Sequence, residues 1–286
     1  MNKIYTLGPE GTYGHQVALG IRYGLNDHFD DADITLVESH QRIFAQVDSD
    51  HDMTTGIVAI ENSIGGLVAE VISCWIDREV FPALCVFGEA FVPIHHHLMV
   101  RPGTKMSDVR KVFSHSQAIS QCRRSLQQKG FMGVPVSSTA EGARMVAQSD
   151  EPVAAIASKF AARHFNLVIV TENLADSGDN TTRFHLVGRR RHSAPTGNDR
   201  MAFVFGVPNS PGSLMHALGT IGHLGVNMSS IHSIPIGRMS EYVFYCECDC
   251  HESDVQGSVI VADLCKNASY LRLLGSYPKG EKPTPE

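Results

Sequence analysis

The 286-residue sequence predicts an α/β protein built as two units in series, one over residues 1–190 and a smaller one over residues 200–278. Three observations predict this. Apolar runs of strand length alternate with helical stretches through the first unit, the order expected of layered α/β architecture. Arg189 to Arg200 then carries Pro195 and Gly197 without apolar periodicity, as a linker does. Beyond it the order becomes strand, helix, strand, strand, helix, strand.

Ile4 to Leu7 reads as a strand, Gly8-Pro9-Glu10-Gly11-Thr12 as a turn, and His15 to Tyr23 as a helix. Strand, glycine-rich turn and helix N-terminus often bind anions, and equally often bind nothing. Gly56 to Ile60 is a strand ending at Glu61-Asn62-Ser63, with Gly65-Gly66 behind it and a helical pattern beyond. Val92 to Val100 is a strand, as is Val109 to Phe113, which leads into Ser114-His115-Ser116-Gln117 and a helix through Leu126. Val134 to Val136 leads into Ser137-Ser138-Thr139 and a helix through Ala147. Val153 to Ile156, Asn166 to Val170 and Thr182 to Val187 complete the strands of this unit. The alternation favours parallel sheets, arranged as two lobes around a cleft. Because the polar clusters follow strands, they gather at one edge, where open α/β sheets place ligands.

In the second unit Met201 to Val207, Val226 to Ile236, Tyr242 to Cys248 and Tyr270 to Leu274 read as strands. Pro211-Gly212 opens a helix to about His223, and Glu252 to Cys265 forms the other. The polar tail, Lys279 to Glu286, is expected to be disordered.

Composition excludes several classes. Hydrophobic residues make up 43%, charged residues 19%, and the net charge is −6, which suits a globular chain and disfavours nucleic acid. No apolar run reaches the roughly 18 residues of a membrane span. The N-terminus has no signal-peptide pattern, and the seven cysteines contain no CxxC pair. Reduced thiols and a cytoplasmic location are therefore expected. On a strand, His95 and His97 share a face without a third ligand, so no metal is expected. The alternating Cys246, Cys248 and Cys250 read as core packing.

Asn180-Thr181-Thr182-Arg183-Phe184 carries the most chemistry. A guanidinium can grip a carboxylate in a bidentate fork, and a threonine hydroxyl can donate one hydrogen bond to a leaving oxygen. Alone, such a segment would read as a surface strand. It follows, in order, Gly8-Pro9-Glu10-Gly11-Thr12, Glu61-Asn62-Ser63-x-x-Gly66, His115-Ser116-Gln117-Ala118 and Ser138-Thr139-Ala140. The series resembles the prephenate dehydratase family, whose usual forms are GPxGTFS, ENSxxGxV, HPQA, STA and TRF. Pro211-Gly212-Ser213-Leu214 and His232-Ser233-Ile234-Pro235 stand near the GAL and ESRP positions of the ACT domain that commonly follows.

The resemblance implies a two-lobed catalytic unit like a type II periplasmic binding protein, an ACT domain behind it, and no cofactor. It implies a lyase that converts prephenate to phenylpyruvate, losing carbon dioxide and water, assembled as a homodimer or homotetramer. Arogenate dehydration and a non-catalytic amino-acid or solute sensor are the alternatives; a decarboxylase that retains the hydroxyl is disfavoured by the intact TRF triplet. The catalytic residues implied are Thr182 at the leaving hydroxyl, Arg183 as carboxylate clamp, Glu61 as acid or structural acceptor, and Ser63. Thr12, Asn62, His115, Gln117, Ser138, Thr139 and Phe184 would bind substrate. L-Phenylalanine is the implied effector, at Gly212, Leu214, Asn227 and Ser233, although His232 and Ile234 replace charged residues of ESRP. Gly14 and Tyr13 depart from the family's Ser and Phe, which removes a hydroxyl beside Thr12, and Ser116 replaces its Pro.

Overall fold

The computed structural model describes residues 3–24, 32–50, 54–76, 79–176, 178–189, 194–237 and 242–283. The elements in order are β1 (Lys3–Leu7), α1 (Tyr13–Gly24), β2 (Asp33–Val37), α2 (His40–Ser49), β3 (Thr54–Asn62), β4 (Gly66–Leu67), α3 (Ala69–Ile76) and β5 (Leu84–Pro93). Next come β6 (His97–Val100), β7 (Lys111–His115), α4 (Ser116–Gln121), α5 (Arg123–Gln128), β8 (Met132–Val136), α6 (Thr139–Gln148), β9 (Ala154–Ala157), α7 (Lys159–His164), β10 (Val168–Thr171) and β11 (Thr181–Arg189). The last are β12 (Asp199–Gly206), α8 (Ser213–His223), β13 (Met228–Pro235), β14 (Tyr242–Cys248), α9 (Val255–Asn267) and β15 (Tyr270–Pro278).

They form three sheets. The first lobe holds β2-β1-β3-β11-β5, with β4 on β3; the second holds β10-β6-β9-β7-β8; the C-terminal unit holds β13-β14-β12-β15. The two lobes are mixed sheets rather than parallel ones, because β11 runs antiparallel to both β3 and β5, and β6 antiparallel to β9. The expected single strand from Val92 to Val100 is two strands in different lobes, since the chain leaves the first sheet after Pro93 and enters the second at His97. It returns at Thr181, and the two crossings touch: Ile94 N donates to Asn180 O at 2.8 Å.

Strand parity builds the junction between the first lobe and the C-terminal unit. Along the fully buried β12, Met201, Phe203 and Phe205 pack against α8 and α9, while Ala202 and Val204 join Val58, Trp75 and Val86 of the first lobe. On β14, Cys246 and Cys248 face the helices and Tyr245 faces the lobe. Cys250 lies just past β14 among the same helix-facing residues, so these thiols are core groups, and burial pushes Cys248 up to about 12 and Cys250 up to about 11. At Gly275 of β15 any Cβ would lie 2.2 Å from the Val86 carbonyl oxygen, so the sheets meet there only through glycine.

The described part of the tail, expected to be disordered, is bonded to both units. Residues 190–193 and 284–286 lie outside the described residues. Asp199 closes the turn before β12 by accepting from Thr196 and Gly197. In the tail, Gly280 N donates to Glu89 Oε1 at 3.0 Å and Lys279 pairs with Asp249 at 3.0 Å. Segment 279–283 is therefore tied across both units. Among the described residues, no helix is long and apolar enough to cross a membrane.

Candidate active site

The polar ends of β3 and β11 meet because antiparallel pairing sets Thr182 opposite Asn62. The Asn62 side chain is committed at both ends. Its Oδ1 accepts from the backbone N–H groups of Ile64 and Gly65 at 3.2 and 2.8 Å, which fixes the amide orientation. Its Nδ2 then donates to Thr182 Oγ1 at 3.0 Å and Asn180 Oδ1 at 2.7 Å. A hydroxyl that accepts here keeps its own proton for another acceptor.

The second lobe reaches this cluster through two glutamines. Gln117 Nε2 donates to Asn62 Oδ1 at 3.2 Å, and Asn180 Nδ2 donates to Gln121 Oε1 at 2.9 Å. His96 Nε2 meets the same Gln121 oxygen at 2.8 Å. The gap is tight enough that a Cβ at Gly65 would lie 2.3 Å from Gln117 Nε2. His115 caps α4, its Nδ1 accepting from Gln117 N, so a neutral ring carries its proton on Nε2. Ser63 is used locally: its Oγ donates to Asp179 O and accepts from Thr181 N, pinning the start of β11.

A second grouping lies at the turn after β1. Thr12 Oγ1 donates to Leu7 O and accepts from His15 N, capping α1. The turn presses on the second lobe, where a Cβ at Gly11 (φ +84°) would meet Phe165 at 2.9 Å and Ala140 at 3.5 Å. Glu10 pairs with His164 across the same gap at 2.9 Å. Ser138 caps α6 by accepting from Glu141 N at 3.0 Å, and Thr139 is the first helical residue. That cap uses the oxygen's lone pair and not its proton.

Three of the expected residues, Arg183, Glu61 and Phe184, have surroundings other than those expected. Arg183 does not offer an open fork. Its Nη1 donates to Glu247 Oε2 at 2.6 Å and Glu89 Oε2 at 3.3 Å, and its Nη2 to Glu61 Oε2 at 3.1 Å. Arg183 and His185 share one face of β11, toward the C-terminal unit, while Thr182 and Phe184 take the other. Glu61 thus holds a guanidinium. Phe184 is buried with Ile4, Val17 and Ile21, in core rather than cleft. Arg183→Ala would take from the buried Glu247 carboxylate its nearest cation, while Glu89 keeps Arg200, costing about 3–5 kcal/mol of stability. The expected result is a marked fall in the denaturation midpoint rather than a selective rise in KM.

Gly14 also has a physical reason. A Cβ there would sit 2.6 Å from Thr6 Oγ1, a fully buried hydroxyl that donates to Ile57 O. The place of the expected hydroxyl is filled from the neighbouring strand. Gly14→Ser should cost about 1–3 kcal/mol through overpacking, and Thr6→Ala in the same chain should restore most of the lost melting temperature.

The site residues expected from the sequence do not include Gln121, Glu89, Arg200 and Glu247, and Asn180, although in the segment singled out, was given no role. Asn180 could have been found, since it precedes Thr182 by two residues on the same extended segment. Among the expected effector residues, Leu214 lines a cavity of about 760 Å³ between the C-terminal unit and the first lobe, with Ile76, Gly206, Phe244 and Tyr270. Gly212 takes a left-handed conformation ahead of α8, and Asn227 is bonded to Asp249 at 2.8 Å. Ser233 is exposed on the edge strand β13.

The prephenate dehydratase family model matches residues 4–192. The prephenate dehydratase of Methanocaldococcus jannaschii is 33% identical over 97% of this chain and 99% of its own. The prephenate dehydratase of Arthrobacter aurescens in complex with L-Phe superposes with a TM-score of 0.84, at 31% identity over 96% of this chain and 89% of that one. GqqA, a novel type of quorum quenching acylase, superposes with a TM-score of 0.82 at 27% identity over 97% of this chain and 98% of that one. A shared fold can thus carry different chemistry, and the motif residues at the strand ends, together with the family match, make the assignment. The chain belongs to the prephenate dehydratase family.

Proposed function

We propose that the cleft at Asn62 and Thr182 converts prephenate to phenylpyruvate, the carbon–oxygen lyase reaction of the family. The ring carboxylate leaves as carbon dioxide, its bonding electrons enter the ring, and the hydroxyl across the ring departs with one added proton as water. Aromatisation drives the step, so the protein must hold one carboxylate, receive the hydroxyl, and avoid stabilising the departing carboxylate in the ground state.

One observation carries the reading: Thr182 Oγ1 accepts from Asn62, so its O–H points to a different acceptor. A donor pre-aimed in this way stabilises the departing oxygen without supplying the proton itself. Asn62, Gln117 and Asn180 are uncharged, which suits a dianion whose charge must disperse. With Arg183 occupied by protein carboxylates, the retained carboxylate falls to backbone N–H groups at the start of α6, around Thr139 and Ala140, where the helix dipole favours an anion. Purified protein given prephenate and arogenate in parallel tests this. Aromatic product from prephenate supports the reading, turnover of arogenate alone replaces the substrate, and turnover of neither removes it.

The type II periplasmic-binding-protein likeness of the two lobes and the ACT character of the C-terminal unit belong to the same proposal. The strand order β13-β14-β12-β15 with two helices on one face supports the second. L-Phenylalanine is the effector we assign to that unit, supported by the complex of the Arthrobacter relative. The cavity beside Leu214 has the volume for an amino acid. Titration calorimetry should give a saturable heat with a parallel change in rate, and the absence of both would leave the unit without this role. An edge strand with Ile231 exposed supports association as a dimer or tetramer, which sedimentation velocity checks.

A further inference from the structure

The guanidinium of Arg183 is held by carboxylates from three separate strands, Glu61 of β3, Glu89 of β5 and Glu247 of β14. Only the last belongs to the C-terminal unit, and it makes the shortest of the three contacts, 2.6 Å. Its placement follows from parity, since Cys246 and Cys248 on either side face the helices and leave Glu247 facing the lobe. The carboxylate is itself fixed. Its Oε1 accepts from Tyr245 OH and lies 3.6 Å from His185 Nε2, while Arg200 pairs with the neighbouring Glu89 at 2.6 Å. Buried groups tied at this many points have little freedom to move.

Around Arg183 the backbone is laddered without a shift on one side only, to β5. The pairing of β11 with β3 shifts register between Arg183 and Phe184, so the ladder on that side is interrupted beside Thr182. The side chain one residue from the hydroxyl supplies the fixed point that the interrupted ladder does not.

We propose that Glu247 is a positioning residue of the active site: acting through Arg183, it fixes the strand segment that aims the Thr182 hydroxyl, so the C-terminal unit completes the cleft. This rests on the dehydratase reading above. Glu247→Gln is a fair probe because the cluster joins three carboxylates to two guanidiniums, and removing one negative charge leaves two of each.

The experiment compares the full-length chain with Glu247→Gln and with Arg272→Lys. The latter removes different hydrogen bonds between the units, Arg272 Nη2 to Phe81 O at 2.7 Å and Nη1 to Trp75 O at 3.1 Å. Steady-state turnover of prephenate should show kcat reduced roughly tenfold or more in Glu247→Gln with KM within about twofold, the signature of a displaced donor rather than lost binding. Arg272→Lys should leave both constants at parental values. A folded Glu247→Gln protein with parental kcat overturns the proposal, and so does an equal loss in Arg272→Lys. If Glu247→Gln does not fold, Tyr245→Phe takes its place: it frees the carboxylate to rotate, a fall in kcat at constant KM supports the proposal, and parental kcat overturns it. If the parent itself does not turn over prephenate, the dehydratase reading fails separately. Amide hydrogen exchange over residues 181–184 then decides the coupling: faster exchange in Glu247→Gln supports it and unchanged exchange overturns it.

Discussion

Thr182→Ala should lower kcat roughly 10²- to 10³-fold, the usual cost of deleting one pre-aimed donor in a dry site, about 3–4 kcal/mol. The reason lies in the bonding of one hydroxyl. Asn62 Nδ2 occupies its acceptor side at 3.0 Å, so the proton is free to meet an oxygen that gains charge as its bond to the ring breaks. In the ground state that oxygen is a neutral alcohol and the same contact is weak, so KM should change little. Thr182→Ser keeps the hydroxyl and should retain most of the rate. The variant should also fold, since Thr182 is only half-buried and its backbone pairing with Asn62 and Val92 remains. Initial rates of prephenate consumption, with circular dichroism as the check on folding, measure this. Near-parental kcat in Thr182→Ala would remove the hydroxyl from the mechanism.

Asn62→Asp should be at least as damaging, lowering kcat/KM by roughly 10³-fold or more through two effects of the order seen for lost donors and for like charges. The carboxylate has the shape of the amide but no N–H. It can still accept from Ile64 N, Gly65 N and Gln117 Nε2, so the turn after β3 should survive. The other oxygen would face Asn180 Oδ1 and Thr182 Oγ1, both acceptors in the present arrangement. The Thr182 hydroxyl would rotate and donate its proton to the introduced carboxylate, and the added negative charge would oppose a doubly anionic substrate. The two effects separate experimentally, because raised salt should recover part of the loss in substrate capture and none of the loss in kcat. A variant of parental activity at low salt would show that Asn62 does not set the hydroxyl's direction.

The parts of this site legible in the sequence are those where one residue type at one place has few uses. Asn62 after a strand and before two glycines, and Thr182 in an Asn-Thr-Thr-Arg segment, were readable because neutral donors beside strand ends gather at one edge. Arg183 was half readable. Its type calls for carboxylates, and it has three, but they are the protein's own, one of them 64 residues away. That partner follows from strand parity in a second unit and from how the two sheets face each other, neither of which a one-dimensional pattern carries. Strand direction was lost for a related reason, since the apolar run in β11 is the same whether the strand runs up or down. The apolar stretch from Val92 to Val100 hid a crossing because both lobes demand buried residues there. Composition misjudged the tail, because a polar segment with one well-placed backbone N–H finds Glu89.

The paired crossings between the lobes have a mechanical consequence. Two chain passages bonded to each other, Ile94 N on Asn180 O, behave as one axle. Points near an axle travel least when a jaw swings. Thr182 sits two residues from it, while Ser138 and Thr139 ride on the opposite jaw at the start of α6. Opening to admit a ring acid would thus sweep the residues proposed to grip its carboxylate through a wide arc and leave the hydroxyl's aim almost undisturbed.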